Sequence, residues 1–132
     1  MLARGLPSHV RGVNNHMGSR ATSDRRVMTS VLTALPKGFY FIDSRTSGTS
    51  IGAEVARSMH IKTASRSVFL DDVQKEPAIR EQLAALAAAA ESHGVAVGIG
   101  HMYPETVRVL AAEAPLLRSR GFRFLRASEA VN

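Results

Sequence analysis

Phe39-Tyr40-Phe41-Ile42-Asp43-Ser44-Arg45-Thr46 decides the fold class, because an aromatic and β-branched run ends abruptly in a polar patch. Four such residues favour a pleated, half-buried strand. From about Ser50 to Met59 the pattern changes to helical spacing, so the strand leads through a short loop into a helix. The same order recurs along the chain. Val10 to Val13 is followed by Asn14-Asn15-His16-Met17-Gly18-Ser19. A helix with Ser23 as its N-cap and Val27, Met28, Val31, Leu32 and Leu35 as its apolar face then runs until Pro36 and Gly38. Repeated strand-then-helix units predict an α/β fold with a parallel sheet.

The later units are read in the same way. Ile61 to Ala64 and Val68-Phe69-Leu70 are short apolar runs, and Asp71-Asp72 lead to an Ala-rich helix from about Pro77 to Ser92, ended by Gly94. Val95 to Ile99 precedes Gly100-His101-Met102-Tyr103 and a helix opening at Pro104 or Glu105, with Val107, Leu110, Ala111 and Leu117 facing inward. Pro115 is expected to kink that helix or split off its last turn. Phe122 to Leu125, after Gly121, reads as a last strand.

Composition narrows the chemistry. The 132 residues, 45% of them hydrophobic, suit one domain whose core is built from many small contacts, since the aromatics are only two Tyr and five Phe. With no cysteine there is no disulfide, thiolate ligand or cysteine nucleophile. A net charge of +6 invites an anionic partner, but the arginines are spread from Arg4 to Arg126 with no aromatic-plus-basic module, so no nucleic acid is expected. No apolar stretch nears the roughly 20 residues that span a bilayer. Met1 to Gly5 carries no hydrophobic segment of signal-peptide length.

Catalytic and binding groups of parallel βα folds gather in the loops after the carboxyl ends of the strands. His16, Asp43 and His101 each fall just past a predicted strand, and they are expected to converge on one rim. Two imidazoles and a carboxylate suit a divalent metal, whose bound water would ionise near pH ~7. Each residue also has a structural reading. His16 and His101 can also be read as loop or packing residues, and Asp43 as a cap of the following turn. Asp71 and Asp72 are expected to start a turn and favour a helix N-terminus. His9, His60 and His93 read as surface. Ser19 and Ser44 lack a nearby base, which argues against a serine nucleophile.

Gly12-Val13-Asn14-Asn15-His16-Met17-Gly18-Ser19-Arg20, Phe41-Ile42-Asp43-Ser44-Arg45-Thr46, Val68-Phe69-Leu70-Asp71, and Ile99-Gly100-His101 with Pro104-Glu105-Thr106 together resemble the divergent polysaccharide deacetylase family, in that order and over nearly the whole chain. The resemblance implies a partial (β/α) barrel of parallel strands, an incomplete version of a seven-stranded deacetylase-type barrel. It implies metal-dependent removal of acetyl groups from a polysaccharide or amino sugar, with zinc as the expected divalent metal. His16, Asp43 and His101 would hold the metal, and His101 and Asp43 would serve catalysis. Asn15, Ser19 and Arg45 would face an acetylated carbohydrate. A periplasmic or extracytoplasmic location is suggested by the same resemblance.

Departures accompany it. Family members begin with a strand ending in an acidic pair that supplies a ligand and the base, and this chain starts after it. Ser67 stands where the family tends to have an aspartate, and Met102 where it has a proline. The expectation is therefore a single domain over 1–132 without its N-terminal part, impaired in hydrolysis. Self-association through an open sheet edge is expected too. A non-catalytic, glycan-binding remnant of the same fold is the alternative.

Overall fold

The computed structural model describes residues 7–132, so Met1 to Gly5 and Arg4, discussed above, lie outside the described residues. The chain is α/β, with parallel strands and intervening helices. It divides into two compact units, one taking the chain up to Ser65 together with Ala127–Asn132, the other Arg66–Arg126.

In the first unit, β1 (Gly12–Asn14), β2 (Tyr40–Asp43) and β3 (Thr63–Ser65) form a parallel sheet in the order β1-β2-β3. Val13 is in register with Phe41, and Phe41 with Thr63. Helices α1 (Ser19–Thr22), α2 (Arg25–Thr33) and α3 (Gly52–Ser58) connect the strands. The core gathers Met28, Leu32, Phe41, Val55 and Ala56, flanked by Val13, Leu35 and Ile61. Each large apolar side chain so buried is worth about 1.5–3 kcal/mol.

The N-cap of α2 is Asp24, not Ser23: its Oδ1 accepts from the amides of Arg26 at 2.8 Å and Val27 at 3.2 Å. Ser23 instead donates back to the Ser19 carbonyl at 2.8 Å and closes the extra turn α1. A carboxylate at that position satisfies two otherwise orphan donors and the helix dipole together. The buried stripe of α2 is Met28 and Leu32, while Val27 and Val31 stay 40% and 37% exposed. The chain end lies along β3: Thr63 N–H donates to the Asn132 carbonyl at 3.0 Å and Asn132 N–H to Thr63 at 3.3 Å.

In the second unit, β4 (Val68–Phe69) pairs in parallel with β5 (Gly98–Ile99). They are followed by α4 (Glu76–His93) and α5 (Pro104–Ser119), which pack over Leu70, Ile79, Leu83, Ala87, Val109 and Leu117. Gly94 ends α4 at φ +82°, a backbone state that costs a side-chain-bearing residue about 1 kcal/mol or more. Two ion pairs join the helices: Arg108 of α5 reaches Glu76 of α4 at 2.7 Å, and Arg80 of α4 reaches Glu113 of α5.

Three expectations are corrected here. Helix α5 runs through Pro115 without interruption; that residue sits on the exposed side, and burial of Val109 and Leu117 holds the helix on either side of it. Its inward stripe is Thr106, Val109 and Leu117 with Leu110 packed beside it, so Leu110 and Leu117 face inward as expected, whereas Val107, 44% exposed, and Ala111 face outward. Phe122 to Leu125 forms no strand, because no neighbour in either sheet pairs with it; a 3₁₀ turn at Ala127–Glu129 follows. No helix among the described residues is long and apolar enough to cross a membrane.

Candidate functional site

Both sheets present their strand ends to loops rich in polar residues, and those loops carry the residues singled out above. In the first unit the loops after β1 and β2 are laced together by side chains. Asn15 Oδ1 accepts from the Ser44 amide at 2.8 Å, while Asn14 Nδ2 donates to Ser44 Oγ at 3.1 Å. Ser19 Oγ donates to the Thr46 carbonyl at 3.2 Å, and Thr46 Oγ1 to the Met17 carbonyl at 3.3 Å. Thus Asn15 and Ser19 are structural ties between two loops. His16 is exposed between them.

Asp43, at the last position of β2, is 1% exposed and spends its carboxylate internally. Oδ1 accepts from the Arg45 amide at 2.8 Å, Oδ2 from the Ala53 amide at 3.1 Å, and Ser50 Oγ lies 2.9 Å and 2.8 Å from the two. That is the capping arrangement: the carboxylate tightens the turn and meets the first turn of α3. Arg45 follows at φ +45°, a left-handed state that strains a residue with a Cβ; the Asp43 bond to its amide helps hold it there.

The second unit carries the most concentrated chemistry. Asp71 directly follows β4 and Leu70; its side chain is fully buried. His101 follows β5 and Gly100, and its side chain is 43% exposed. Asp71 Oδ1 faces His101 Nδ1 at 2.9 Å, and Oδ2 accepts from the His101 amide at 2.5 Å and from Thr106 Oγ1 at 2.8 Å. Gly100 suits this closeness, since a Cβ there would stand 3.1 Å from Asp71 Oδ2 and 3.3 Å from Leu70 Cβ, a tight fit that neighbours would have to yield to. Tyr103 stacks on the imidazole, with ring centroids 5.0 Å apart.

Burial alone would raise the Asp71 pKa. The bonds from the His101 amide, the His101 ring and the Thr106 hydroxyl, with the attraction of His101, outweigh it and hold the carboxyl below its ordinary value. An ionised, buried carboxylate, which can only accept, therefore faces Nδ1, and the ring carries a proton there.

A profile of the divergent polysaccharide deacetylases matches residues 4–131. The chain belongs to the divergent polysaccharide deacetylase family. Among curated relatives, an uncharacterized protein of Haemophilus influenzae is 40% identical over 111 residues, covering 83% of this chain and 40% of its own length. The uncharacterized protein YibQ of Escherichia coli is 43% identical over 100 residues, covering 75% of this chain and 31% of its own. The chain thus spans well under half of either relative. The fold is also that of an uncharacterized Agrobacterium tumefaciens protein whose crystal structure superposes with a TM-score of 0.80 at 23% identity, over 83% of this chain and 45% of that one.

The deacetylase resemblance placed His16, Asp43 and His101 around one ion. His16 and Asp43 belong to the first unit and His101 to the second, where Asp71 is bonded to it. Among the described residues, no group of three or more His, Cys, Asp or Glu side chains is disposed to hold a metal ion, and Asp43 is already bonded at both oxygens. Asp71, Tyr103 and Thr106 escaped the sequence reading as site residues. The rule that found His101 also finds Asp71, because both stand immediately past a strand.

Proposed function

We propose that this member of the family acts in hydrolysis of acetyl groups from a polysaccharide or amino sugar, with His101 handling the proton and Asp71 orienting it. The observation that carries the reading is the buried carboxylate fixed on the Nδ1 side of a half-exposed imidazole. In acetyl hydrolysis, water oxygen bonds to the acetyl carbon, the C–N or C–O bond breaks, and acetate leaves. The departing amine or alkoxide needs a proton, which His101 Nε2 would deliver. Asp71 keeps the ring in the tautomer and orientation for that transfer and stabilises the imidazolium when the ring is charged. Tyr103, stacked on the ring, limits its tilt.

Membership of the family supports an incomplete seven-stranded (β/α) barrel, with Asn15 and Arg45 on strand-end loops and Ser19 at the start of α1 where a sugar would bind. Zinc with His16, Asp43 and His101 as its ligands rests on the family resemblance. Calorimetric zinc binding that survives His16→Ala and His101→Ala would remove those residues as ligands.

The test is acetate release from an N-acetylated amino-sugar oligomer by the purified chain, with and without added zinc. The proposal expects release that falls about 10²- to 10⁴-fold in His101→Ala. Release unchanged in that variant would refute the role of His101. Retention of the oligomer without acetate release would instead support the non-catalytic, glycan-binding reading.

A further inference from the structure

We propose that Thr106 is a positioning residue for His101, its buried hydroxyl locking the Asp71 carboxylate in the orientation that presents Oδ1 to the imidazole. The inference deepens the functional reading above and rests on it.

Thr106 lies in the first turn of α5 and is 2% exposed. A threonine in a helix commonly returns its hydroxyl proton to a carbonyl one turn earlier. Here the hydroxyl donates instead across to Asp71 Oδ2 at 2.8 Å, a residue 35 positions away in sequence. Oδ2 also takes the His101 amide at 2.5 Å, so one carboxylate oxygen is pinned by two donors and the other is left facing Nδ1 at 2.9 Å.

Rotation of the carboxylate about its Cβ–Cγ bond would break both bonds to Oδ2 inside a buried pocket, where an unmade hydrogen bond is costly. The two pinning donors differ in kind. The His101 amide moves with His101 and cannot by itself register that residue against the helix. Thr106 belongs to α5 and is packed in its buried stripe with Val109 and Leu117, so it ties the carboxylate to a rigid element. Gly100 adds a steric limit on the same oxygen, the Cβ position there being 3.1 Å from Oδ2.

The experiment is a long-range proton–nitrogen correlation spectrum of the full chain, without substrate, at a pH where the His101 ring is neutral. His101→Gln assigns the signals. Wild type and Thr106→Ser, which keeps the hydroxyl, are expected to carry the ring proton on Nδ1. Thr106→Val, which keeps the shape and loses the donor, is expected to lower the ratio of Nδ1–H to Nε2–H about fivefold, the effect of losing one hydrogen bond. Should the valine variant not fold, as judged by circular dichroism, Thr106→Cys is read by the same criterion, since a thiol is a weak donor. A folded variant lacking the donor but showing the wild-type nitrogen pattern would overturn the proposal, as would a serine variant that behaves like valine. Because no substrate is used, failure of acetyl hydrolysis leaves this result standing, and failure here leaves the hydrolytic reading to its own assay.

Discussion

Asp71→Ala removes an acceptor on which three donors close, and its cost can be worked from their surroundings. The Thr106 hydroxyl, 2% exposed, loses its acceptor in a buried place, which costs about 1–3 kcal/mol. The His101 ring belongs to a side chain 43% exposed, so water recovers part of its loss, and about 1 kcal/mol is a fair share for the ring and the backbone amide together. The sum is about 2–4 kcal/mol. At a urea dependence near ~2 kcal/mol per molar, the unfolding midpoint falls by about 1–2 M. Circular dichroism is the suitable probe, because the chain has no Trp. Asp71→Asn, which still offers one oxygen, should lose about half as much.

The same carboxylate gives the result a pH signature. Its pKa is lower in the folded chain than the ordinary value near ~3.9 in the unfolded one. A depressed acid contributes stability that is complete above the unfolded pKa and is lost as pH falls through the folded one. Below about pH 5 the gap between wild type and Asp71→Asn should shrink as the solution is made more acidic. An alanine variant less than about 0.5 kcal/mol below wild type, or a gap that does not narrow in acid, would refute this account of Asp71.

Other outcomes follow from the first unit and the two cores. Asp43→Ala should destabilise the first unit by about 2–4 kcal/mol, since the Arg45 and Ala53 amides and Ser50 lose their acceptor; an unchanged urea midpoint would mean that water replaces it. Leu83→Ala, at a site 4% exposed in the second core, should cost about 2–5 kcal/mol by the same measurement. Self-association through an open strand edge predicts a sedimentation coefficient that rises with protein concentration; a constant monomer value would remove that proposal.

The parts of the fold legible in the sequence were those in which local pattern and tertiary demand coincide. Phe39 to Ile42 reads as a strand and is one, shifted by a residue to Tyr40–Asp43, and Gly94 stops α4 where expected. Helix faces were less legible. In α5 a threonine, Thr106, occupies the buried stripe because a buried aspartate takes its hydroxyl, which a count of apolar residues cannot register. The strand-like alternation of Phe122 to Leu125 finds no neighbour among the described strands, and pairing, unlike pattern, is a non-local property.

The candidate site was legible by position and not by partnership. His101 and Asp43 were expected at strand ends and stand there. Asp71 was expected to start a turn, yet it is the buried partner of His101, 30 residues away, a contact that no sequence spacing announces. Asn14 and Asn15, prominent in the sequence as unusual loop residues, owe that prominence at least partly to tying two loops together.

The central claim is that Asp71 and His101 act as one device in acetyl hydrolysis. Acetate release by Asp71→Asn, His101→Gln and the double variant tests it most directly, because residues that act as a unit show losses that do not add. The account predicts that the double variant is no slower than His101→Gln alone. Losses that multiply, or an Asp71→Asn variant as fast as wild type, would contradict it.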